Sequence, residues 1–481
     1  MARRDELVPE DLVAHLCRAI PGFRDEDFEH QHALARMVWI GSMRRRRHNI
    51  YEDAMSFGHE ELARAFGRDG FHVINDRLDF FSVSSNYIAG KSTRAYRFSD
   101  QVQKARKAYL SRYWRGVTKL LNASGQALKT IPASVASTDS RGNPVRPEIW
   151  SRAESLNRVM VDMETLTKLR RWLQGIGDQW QQDGAPPVDL VTDFPGQEVI
   201  ERLRDISGQV VRMARTDLAG KGYIAQRYTV SPSGRLYAKD INLQTAPTLV
   251  KQAALNGLWE YDFSNCHFAI LMQMAATHGH QCKAIKHYLA NKPKVRQALA
   301  TAAGITIPQI KECLLALIYG ARASSRDEDA IPEAIGVEAA QRLYQEQLFQ
   351  DIKDDILSAR RTILANYPRT PNGSFSNARN RAISGAEKPA RILAHLIQGA
   401  EAAALLAAFN LHPNDIVLLQ HDGFVAHRRL NAKAIELAVK EATGLALTLE
   451  EQQIRIDPDA QFLKYQTKKH VSDKKSMKSL A

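Results

Sequence analysis

The chain has 481 residues, of which 44% are hydrophobic and 25% charged, so it is long enough for two or three domains and is neither a peptide module nor mainly disordered. Lysine and arginine number 66 against 53 for aspartate and glutamate, a net charge of +13. A polyanion is therefore the first partner to expect, and ordinary solubility charge is the alternative.

Cysteine content and hydropathy bear on the cellular compartment. Four cysteines occur and no CxxC pair is present, which excludes a disulfide framework and favours a reducing environment. No run of about 18 apolar residues is evident, and the first residues are rich in acids, so we expect neither a membrane span nor a signal peptide. These features predict a cytoplasmic protein without a membrane partner.

The first hundred residues predict short helices followed by a hairpin. Apolar spacing and the breakers Pro21, Gly67, Gly70 and Gly90 divide this part of the chain. The predicted elements are helices over residues 8–20, 59–65 and 71–78 and strands over residues 80–88 and 94–98.

This order of elements resembles the winged-helix DNA-binding domain of plasmid and phage replication proteins, over about residues 35–100. The resemblance implies that one helix enters the major groove and that the hairpin contacts phosphates. The basic side chains that would make these contacts are Arg68, Arg77, Lys91, Arg94 and Arg97, with a further basic run at residues 44–47. A small α+β domain that contacts protein is the alternative interpretation.

The pattern over residues 100–213 favours helices. Breaks rich in Pro, Ser and Gly at residues 124–147 and 184–195 predict a linker and a loop. Apolar residues three or four positions apart predict one long amphipathic helix over residues 156–169. They are Leu156, Val159, Met160, Met163, Leu166 and Leu169.

Two neighbouring segments carry the first candidate site residue. GRLYAKDINLQTAP runs from Gly234 to Pro247, and WEYDFSNCHFAIL runs from Trp259 to Leu271. Asp262 follows an apolar and aromatic stretch typical of a strand, and Ser264 is a candidate N-cap for a helix over residues 265–275. A carboxylate at this junction is a candidate metal ligand, whereas a helix-start acid that serves only as a cap is the plainer alternative.

A second segment, KECLLALIYG, spans Lys311 to Gly320. On a helix, Lys311, Leu315 and Tyr319 lie on one face. A cation and a phenol on one face could bind one ligand together. A lysine that extends from an apolar helix to solvent is the plainer interpretation.

A third segment, DIVLLQHDGFVAH, runs from Asp415 to His427 and predicts a hairpin. Two apolar stretches flank His421 and Asp422, and Gly423 provides the backbone freedom that a tight turn requires. The turn would therefore present a carboxylate, although an ordinary surface turn has the same pattern.

In this order the segments resemble the family A (DNA polymerase I type) DNA polymerases and, more distantly, the single-subunit phage-type RNA polymerases. GRLYAKDINLQTAP resembles the GRL and NLQxxP segment of that family, DFSNCHFAIL motif A, KECLLALIYG motif B, and QHDG motif C. HLIQGAEAAALL, from His395 to Leu406, resembles the QG-containing helix before motif C. The resemblance covers about residues 216–465, and the short gap between Arg235 and Asp262 favours the DNA polymerase branch.

The resemblance implies a set of site residues. Asp262 and Asp422 would hold two Mg²⁺ ions, with Mn²⁺ as the alternative, because nucleotidyl transfer uses metal ions held by carboxylates from different segments. Lys311 would act as the third catalytic residue by neutralising phosphate charge. The implied nucleotide-binding residues are Tyr319, His267 and Leu315. The implied contacts to nucleic acid near the active site are Arg235, Gln398 and His421.

Two departures from the family pattern affect the metal and triphosphate sites. Gly423 stands where the family has a Glu after the motif C Asp, so two motif carboxylates remain. Ile307 stands where an Arg contacts the triphosphate in the family. The candidate substitutes for this Arg are Lys292, Lys294 and Arg296.

Two further departures affect sugar choice. His267 replaces the motif A Glu that screens the sugar, and Leu315 stands where an aromatic residue is usual in DNA polymerases. The preference for deoxyribonucleotides or ribonucleotides therefore stays open.

A cluster of His and Cys residues and a lysine-rich C-terminal stretch are the two remaining features of the sequence. His278, His280 and Cys282 are too closely spaced to make good zinc ligands without a fourth partner. Residues 466–481 are rich in lysine and predict a disordered basic tail.

Together the patterns predict an α+β fold, a right-hand polymerase with palm, fingers and thumb and an N-terminal winged-helix-like domain. The predicted regions are 1–104, winged-helix-like and nucleic-acid-binding; 105–215, helical and thumb-like; 216–275, first part of the palm; 276–385, fingers; 386–465, second part of the palm; and 466–481, basic tail.

The predicted function is template-directed DNA synthesis without a proofreading exonuclease, in the replication of a phage, plasmid or mobile element. Its partners would be a DNA template and primer and nucleoside triphosphates; protein partners stay open. A single-subunit RNA polymerase or priming enzyme is one alternative, and a replication initiator with an inactive polymerase fold is the alternative from another class.

Overall fold

The computed structural model describes residues 7–41, 55–57, 59–67, 70–83, 95–111, 120–128, 135–139, 156, 158–183, 197–216, 221–238, 241–324 and 326–456. Helices and strands are mixed along this part of the chain. The helices are α1 Glu10–Ala19, α2 Phe28–Ile40, α3 His59–Phe66, α4 Gly70–Leu78, α5 Asp100–Ser111, α6 Met163–Asp183, α7 Gln197–Met213, α8 Thr248–Ala254, α9 Cys266–Ala276, α10 Lys283–Ala290, α11 Lys292–Ala303, α12 Ile307–Ile318, α13 Ala330–Ile335, α14 Val337–Gln345, α15 Gln347–Asn366, α16 Pro389–Leu411 and α17 Ala432–Thr443. The strands are β1 Val8–Pro9, β2 Met55–Ser56, β3 Phe81–Val83, β4 Ala95–Phe98, β5 Leu120–Leu121, β6 Ala127–Leu128, β7 Val135–Asp139, β8 Arg158–Val161, β9 Arg215–Thr216, β10 Gly222–Ala225, β11 Tyr228–Val230, β12 Leu236–Ala238, β13 Trp259–Phe263, β14 Phe375–Ser376, β15 Ala382–Ile383, β16 Ile416–Leu419, β17 Gly423–Ala426 and β18 Leu449–Gln453.

The N-terminal part contains a small antiparallel sheet with the strand order β2-β4-β3. Phe81 pairs with Phe98 and Met55 with Tyr96. Helices α3 and α4 lie close to the positions predicted for them, and Phe71 of α4 packs edge-on against the ring of Tyr96. The aromatic contacts pack the sheet against helix α4.

The N-terminal part is fixed to helix α7 by buried polar contacts. Gln209 donates a hydrogen bond of 2.5 Å to the carbonyl of Trp39. Arg106 forms an ion pair of 2.7 Å with Asp205, and the buried Arg212 of α7 lies over the ring of Tyr109. Helix α7 and the N-terminal elements therefore share one core.

The long helix predicted over residues 156–169 is wrong in its first half. Residues 158–161 form strand β8, which pairs with β10, and α6 begins only at Met163. Asp162 begins the helix, since its carboxylate accepts a hydrogen bond of 2.9 Å from the amide of Thr165. The apolar spacing was misleading because Val159 and Val161 also alternate as a strand requires, and both are buried.

The linker predicted over residues 124–147 contains strands in its described portion. β5 and β6 pair as a short hairpin, and β7 runs parallel to β11. The expectation of a mostly helical stretch over residues 100–213 therefore holds for α5, α6 and α7 but not for these segments.

A four-stranded antiparallel sheet in the order β16-β17-β13-β18 positions the candidate site. Tyr261 and Phe424 stack at 4.9 Å between ring centres, on the side of the sheet that packs with helices α9 to α16. Val425 belongs to the core that includes α7. The sheet is therefore buried between two groups of helices, as a central sheet in an α+β fold is.

By length and composition, helix α16 could cross a membrane, since its most apolar stretch of 18 residues has a mean hydropathy of 1.6. The sequence had not predicted such a span. Helices α11 and α12 reach the same length and apolarity only when they are counted together, and they are bent by 100° relative to each other. However, 72% of the apolar stretch of α16 is buried inside the protein. Core helices have this composition too, and α16 packs against α9, α15 and α17.

Candidate active site

Two carboxylates lie together at one end of the adjacent strands β13 and β17, Asp262 within β13 and Asp422 in the turn just before β17. Asp262 lies opposite Gly423 in the β13–β17 pairing, and the amide of Phe263 donates a hydrogen bond of 2.8 Å to the carbonyl of Asp422. Within the described residues, neither carboxylate has a hydrogen bond or an ion pair to another side chain. The segments that the sequence analysis placed in motifs A and C are therefore neighbours in space.

The environment of Asp262 disfavours its negative charge. Burial and the nearby charge of Asp422 raise the pKa of the Asp262 carboxyl to about 7, and the charge of Lys311 opposes this shift only in part. Two close, half-buried carboxylates without a cationic side chain bonded to either of them are the hard oxygen donors that Mg²⁺ prefers. This donor set fits a divalent cation bound jointly by Asp262 and Asp422.

The turn after Asp262 differs from its prediction in one detail. Ser264 is not the N-cap: Asn265 occupies that position in a left-handed conformation with φ 46°, and α9 begins at Cys266. Asn is one of the residues that tolerates this conformation. The hydroxyl of Ser264 instead donates a hydrogen bond of 2.5 Å to Glu450 on the neighbouring strand β18.

Gly423 leaves no room for a side chain. A Cβ atom at this position would lie 2.2 Å from the carbonyl oxygen of Tyr261. On the opposite edge of β13, Glu450 pairs directly with Asp262 and is held by Lys292 at 2.8 Å. Hydrogen bonds from Lys292 and Ser264 lower the pKa of Glu450, so this third carboxylate is charged and already partnered.

Helix α12 carries three of the predicted site residues and begins with a capping box formed by Thr306 and Gln309. Lys311 is exposed on its first turns, Leu315 is half-buried, and Tyr319 lies at its C-terminal end. The hydroxyl of Tyr319 lies 3.2 Å from Nδ1 of His267. Tyr319 and, by its charge, Lys311 thus lie on the side of the helix toward His267 and Asp262.

A buried polar network lies behind this helix. Arg235 contacts both Glu401, at 2.5 Å, and Nε2 of His267, at 2.7 Å. Burial alone would lower the pKa of the Arg235 guanidinium, but the charge of Glu401 outweighs it and raises the pKa above its usual value. Gln398 joins through a hydrogen bond to the Tyr319 hydroxyl.

His421 lies at the edge of the same network. Its ring packs 4.8 Å from that of Tyr237, which accepts a hydrogen bond from Arg235. Burial and the charge of Arg235 lower the pKa of His421. The predicted residues Arg235, Gln398, His267 and Tyr319 are therefore connected directly, with His421 beside them.

Sequence reasoning missed Glu401 and Tyr237. Glu401 is the single acidic residue of α16, and an acid within so apolar a helix is a signal of a buried ion pair or a functional site. Tyr237 carries no comparable signal in the sequence, because an aromatic residue in a short strand is ordinary.

The three basic residues that were candidates to replace the missing cation at Ile307 have different positions in the structure. Lys292 lies 3.2 Å from the hydroxyl of Ser264, and Arg296 donates a hydrogen bond of 2.7 Å to the side chain of Asn265. Lys294 is exposed and contacts neither residue. Lys292 and Arg296 therefore border the turn after Asp262, whereas Ile307 is 41% exposed and uncharged.

The zinc alternative gains no support. Among the described residues, no group of three or more His, Cys, Asp or Glu side chains could hold a metal ion. His280 lies 3.7 Å from Asp355, and Cys282 is buried. Asp262 and Asp422 form a pair, so a metal held there would take its other ligands from water or substrate, as Mg²⁺ commonly does.

The predicted DNA-binding residues of the N-terminal part are only partly described. Lys91, Arg94, Arg68 and the basic run 44–47 lie outside the described residues, whereas Arg97 is exposed on β4. Arg77 forms two hydrogen bonds, of 2.8 and 2.6 Å, with the buried Glu26. Its guanidinium therefore already has a structural partner.

No protein-family model matches the chain, and no curated protein matches it. Among solved structures, the chain is similar to the POL domain of Pol1 from M. smegmatis in complex with DNA primer-template and dNTP, at 15% sequence identity and a TM-score of 0.42. The similarity covers 63% of this chain and 69% of that one. A likeness at this level leaves the function to be inferred from the residues of the site.

Proposed function

We propose that the protein is a template-directed nucleotidyltransferase, a DNA-directed DNA polymerase of the family A type. The observation that carries the proposal is the pair Asp262, on β13, and Asp422, just before the adjacent strand β17. Their side chains have no protein partner among the described residues. Their separate motifs stand in the order that the family resemblance requires.

In this proposal Asp262 and Asp422 would hold the two Mg²⁺ ions of the reaction, or Mn²⁺ in their place. When bound, such ions favour deprotonation of a primer 3′-hydroxyl and neutralise the charge of the triphosphate and of the departing pyrophosphate. The raised pKa of Asp262 supports this role, because a cation removes the repulsion that raises it.

The surrounding side chains act on the nucleotide and the duplex. Lys311 neutralises phosphate charge from the exposed side of α12, and Tyr319 at the end of that helix packs against the nascent base pair. Leu315 contributes an apolar wall to the nucleotide pocket. Three network residues contact the duplex near the active site, namely Arg235, Gln398 and His421.

His267 is the sugar-selecting residue in this proposal. Its ring lies 5.6 Å from that of Tyr319 and beside the turn that carries Asp262. An imidazole there is bulky enough to crowd a 2′-hydroxyl and so to exclude ribonucleotides. His267→Ala should therefore increase the use of NTPs relative to dNTPs; a decrease would favour the RNA polymerase alternative.

The N-terminal sheet and helices serve as a winged-helix-like DNA-binding module over residues 1–104 in this proposal. The remaining regions would be a thumb at 105–215, a palm at 216–275 and 386–465, fingers at 276–385 and a basic tail at 466–481. Duplex binding by the module would recruit the enzyme to a phage, plasmid or mobile-element template.

Extension of labelled, primed and unprimed templates with dNTPs or NTPs tests the proposal. Asp262→Asn and Asp422→Asn should each abolish incorporation with Mg²⁺ and leave DNA binding largely intact, because each removes metal ligation without adding repulsion toward phosphate. Glu451→Gln is the matched control, since Glu451 of β18 already pairs with Arg429 and the variant should retain activity. Near wild-type incorporation by either Asp variant would refute the assignment.

A further inference from the structure

The Glu401 carboxylate is the one charged group of the described network for which the proposed chemistry has no use. Its side chain is 0% exposed, on a helix with no other acidic residue. Oε2 lies 2.5 Å from Arg235 and 2.5 Å from His267. Oε1 has no hydrogen-bond partner within the described part of the chain.

The contacts of Glu401 determine how the His267 ring is held. Nε2 of His267 faces Glu401 and Nδ1 faces the hydroxyl of Tyr319 at 3.2 Å. Both ring nitrogens are therefore engaged, one by the interior of the protein and one by the end of α12. Glu401 accepts from a protonated Nε2, whereas the guanidinium of Arg235 can only donate to an unprotonated one, so the carboxylate determines the tautomer and the partner by which the ring is held.

Glu401 also holds Arg235 in place. Arg235 is 8% exposed, and a buried cation requires a compensating charge. Arg235 in turn contacts His267 at 2.7 Å. A single carboxylate thus fixes both the residue proposed to select the sugar and a residue proposed to contact the duplex.

We infer that Glu401 is a positioning residue that sets the discrimination between deoxyribonucleotides and ribonucleotides by orienting His267. The inference rests on the proposed function. Glu401 does not touch the nucleotide itself, since it is fully buried behind His267 and Arg235. Its effect on sugar choice therefore depends on the imidazole.

Single-nucleotide primer extension measures the effect as the ratio of kcat/KM for dNTP over that for NTP. Glu401→Gln keeps the size of the side chain but removes its charge, and should lower this ratio about tenfold, the effect of weakening one hydrogen bond to a charged group. Glu401→Asp keeps the charge and should restore part of the ratio. Glu387→Gln is the control, because Glu387 lies just before the same helix in an exposed pair with Arg391.

A purely structural role predicts a different result. Loss of folded enzyme lowers kcat for both sugars equally, so the ratio stays unchanged. In the His267→Ala background, Glu401→Gln should cause no further fall in the ratio. An unchanged ratio in folded Glu401→Gln, or additive effects in the double variant, would overturn this inference but not the proposed function.

If Glu401→Gln does not fold, Glu401→Asp provides the same measurement, and an unchanged ratio in that variant would also overturn the inference. A wild-type enzyme that extends primers with neither nucleotide would instead refute the proposed function.

Discussion

Gly423 lies so close to Tyr261 that a Cβ atom would meet the Tyr261 carbonyl oxygen at 2.2 Å. This oxygen belongs to the backbone of strand β13, so it cannot move aside as a flexible side chain would. A glutamate at position 423, which the resembling family carries there, would therefore not fit the spacing of β13 and β17. A glycine keeps these strands, and with them Asp262 and Asp422, in register.

Gly423→Ala should destabilise the protein by about 1–3 kcal/mol, the usual cost of overpacking a core, and should reduce incorporation because it displaces Asp422 from Asp262. Chemical denaturation together with primer extension measures both effects. Gly175→Ala is the control: its Cβ meets nothing within 4 Å on helix α6, so it should stabilise by up to about 1 kcal/mol. If Gly423→Ala and wild type had the same free energy of unfolding, β13 and β17 would be able to move apart at no cost in stability.

Asp262→Asn should make the metal-free protein more stable than wild type at neutral pH. The pKa of Asp262 is raised to about 7 in the folded state and is about 3.9 in an unfolded chain. The folded state thus binds the proton more tightly, and stability is lost as the pH rises from about 4 to 7. The difference in Tm between variant and wild type, measured with a chelator, should grow over this range.

Mg²⁺ provides the second half of this test. It should raise the Tm of wild type at pH 8 and leave that of Asp262→Asn nearly unchanged, because ligand binding to the folded state stabilises it. A Tm difference independent of pH, or an equal response of both proteins to Mg²⁺, would contradict the carboxylate pair as a cation site.

Lys292→Ala and Arg296→Ala should each raise the KM for the incoming nucleotide about tenfold, the effect of losing a charge-assisted contact to phosphate. Both residues border the turn after Asp262. Lys294→Ala removes the same charge from the same helix but lies away from that turn, so its KM should stay near wild type. Equal effects of all three substitutions would indicate a general electrostatic contribution instead.

Replacement of Lys91, Arg94 and Arg97 by Ala in the full chain should weaken duplex binding and flatten its salt dependence. Each lost phosphate contact should reduce the slope of log K against log salt by about 0.9. Fluorescence anisotropy with a labelled duplex at several salt concentrations provides the slope. A slope equal to that of wild type would favour the protein-contact interpretation of this region.

Local sequence determined the elements that carry the chemistry. The strand before Asp262, the helix with Lys311 and Tyr319 and the hairpin around Asp422 all follow from periodicity and turn residues within a dozen positions. Such patterns are physical properties of short segments and need no knowledge of their neighbours.

Tertiary structure decided everything that depends on a partner distant in the chain. β8 is a strand because β10 pairs with it, and the hydroxyl of Ser264, which does not cap the helix, donates to Glu450 on another strand. Glu401 acquires a role only where Arg235 and His267 meet it in a buried space. Burial makes a charge depend on its compensating partners, and these come together only when the chain has folded.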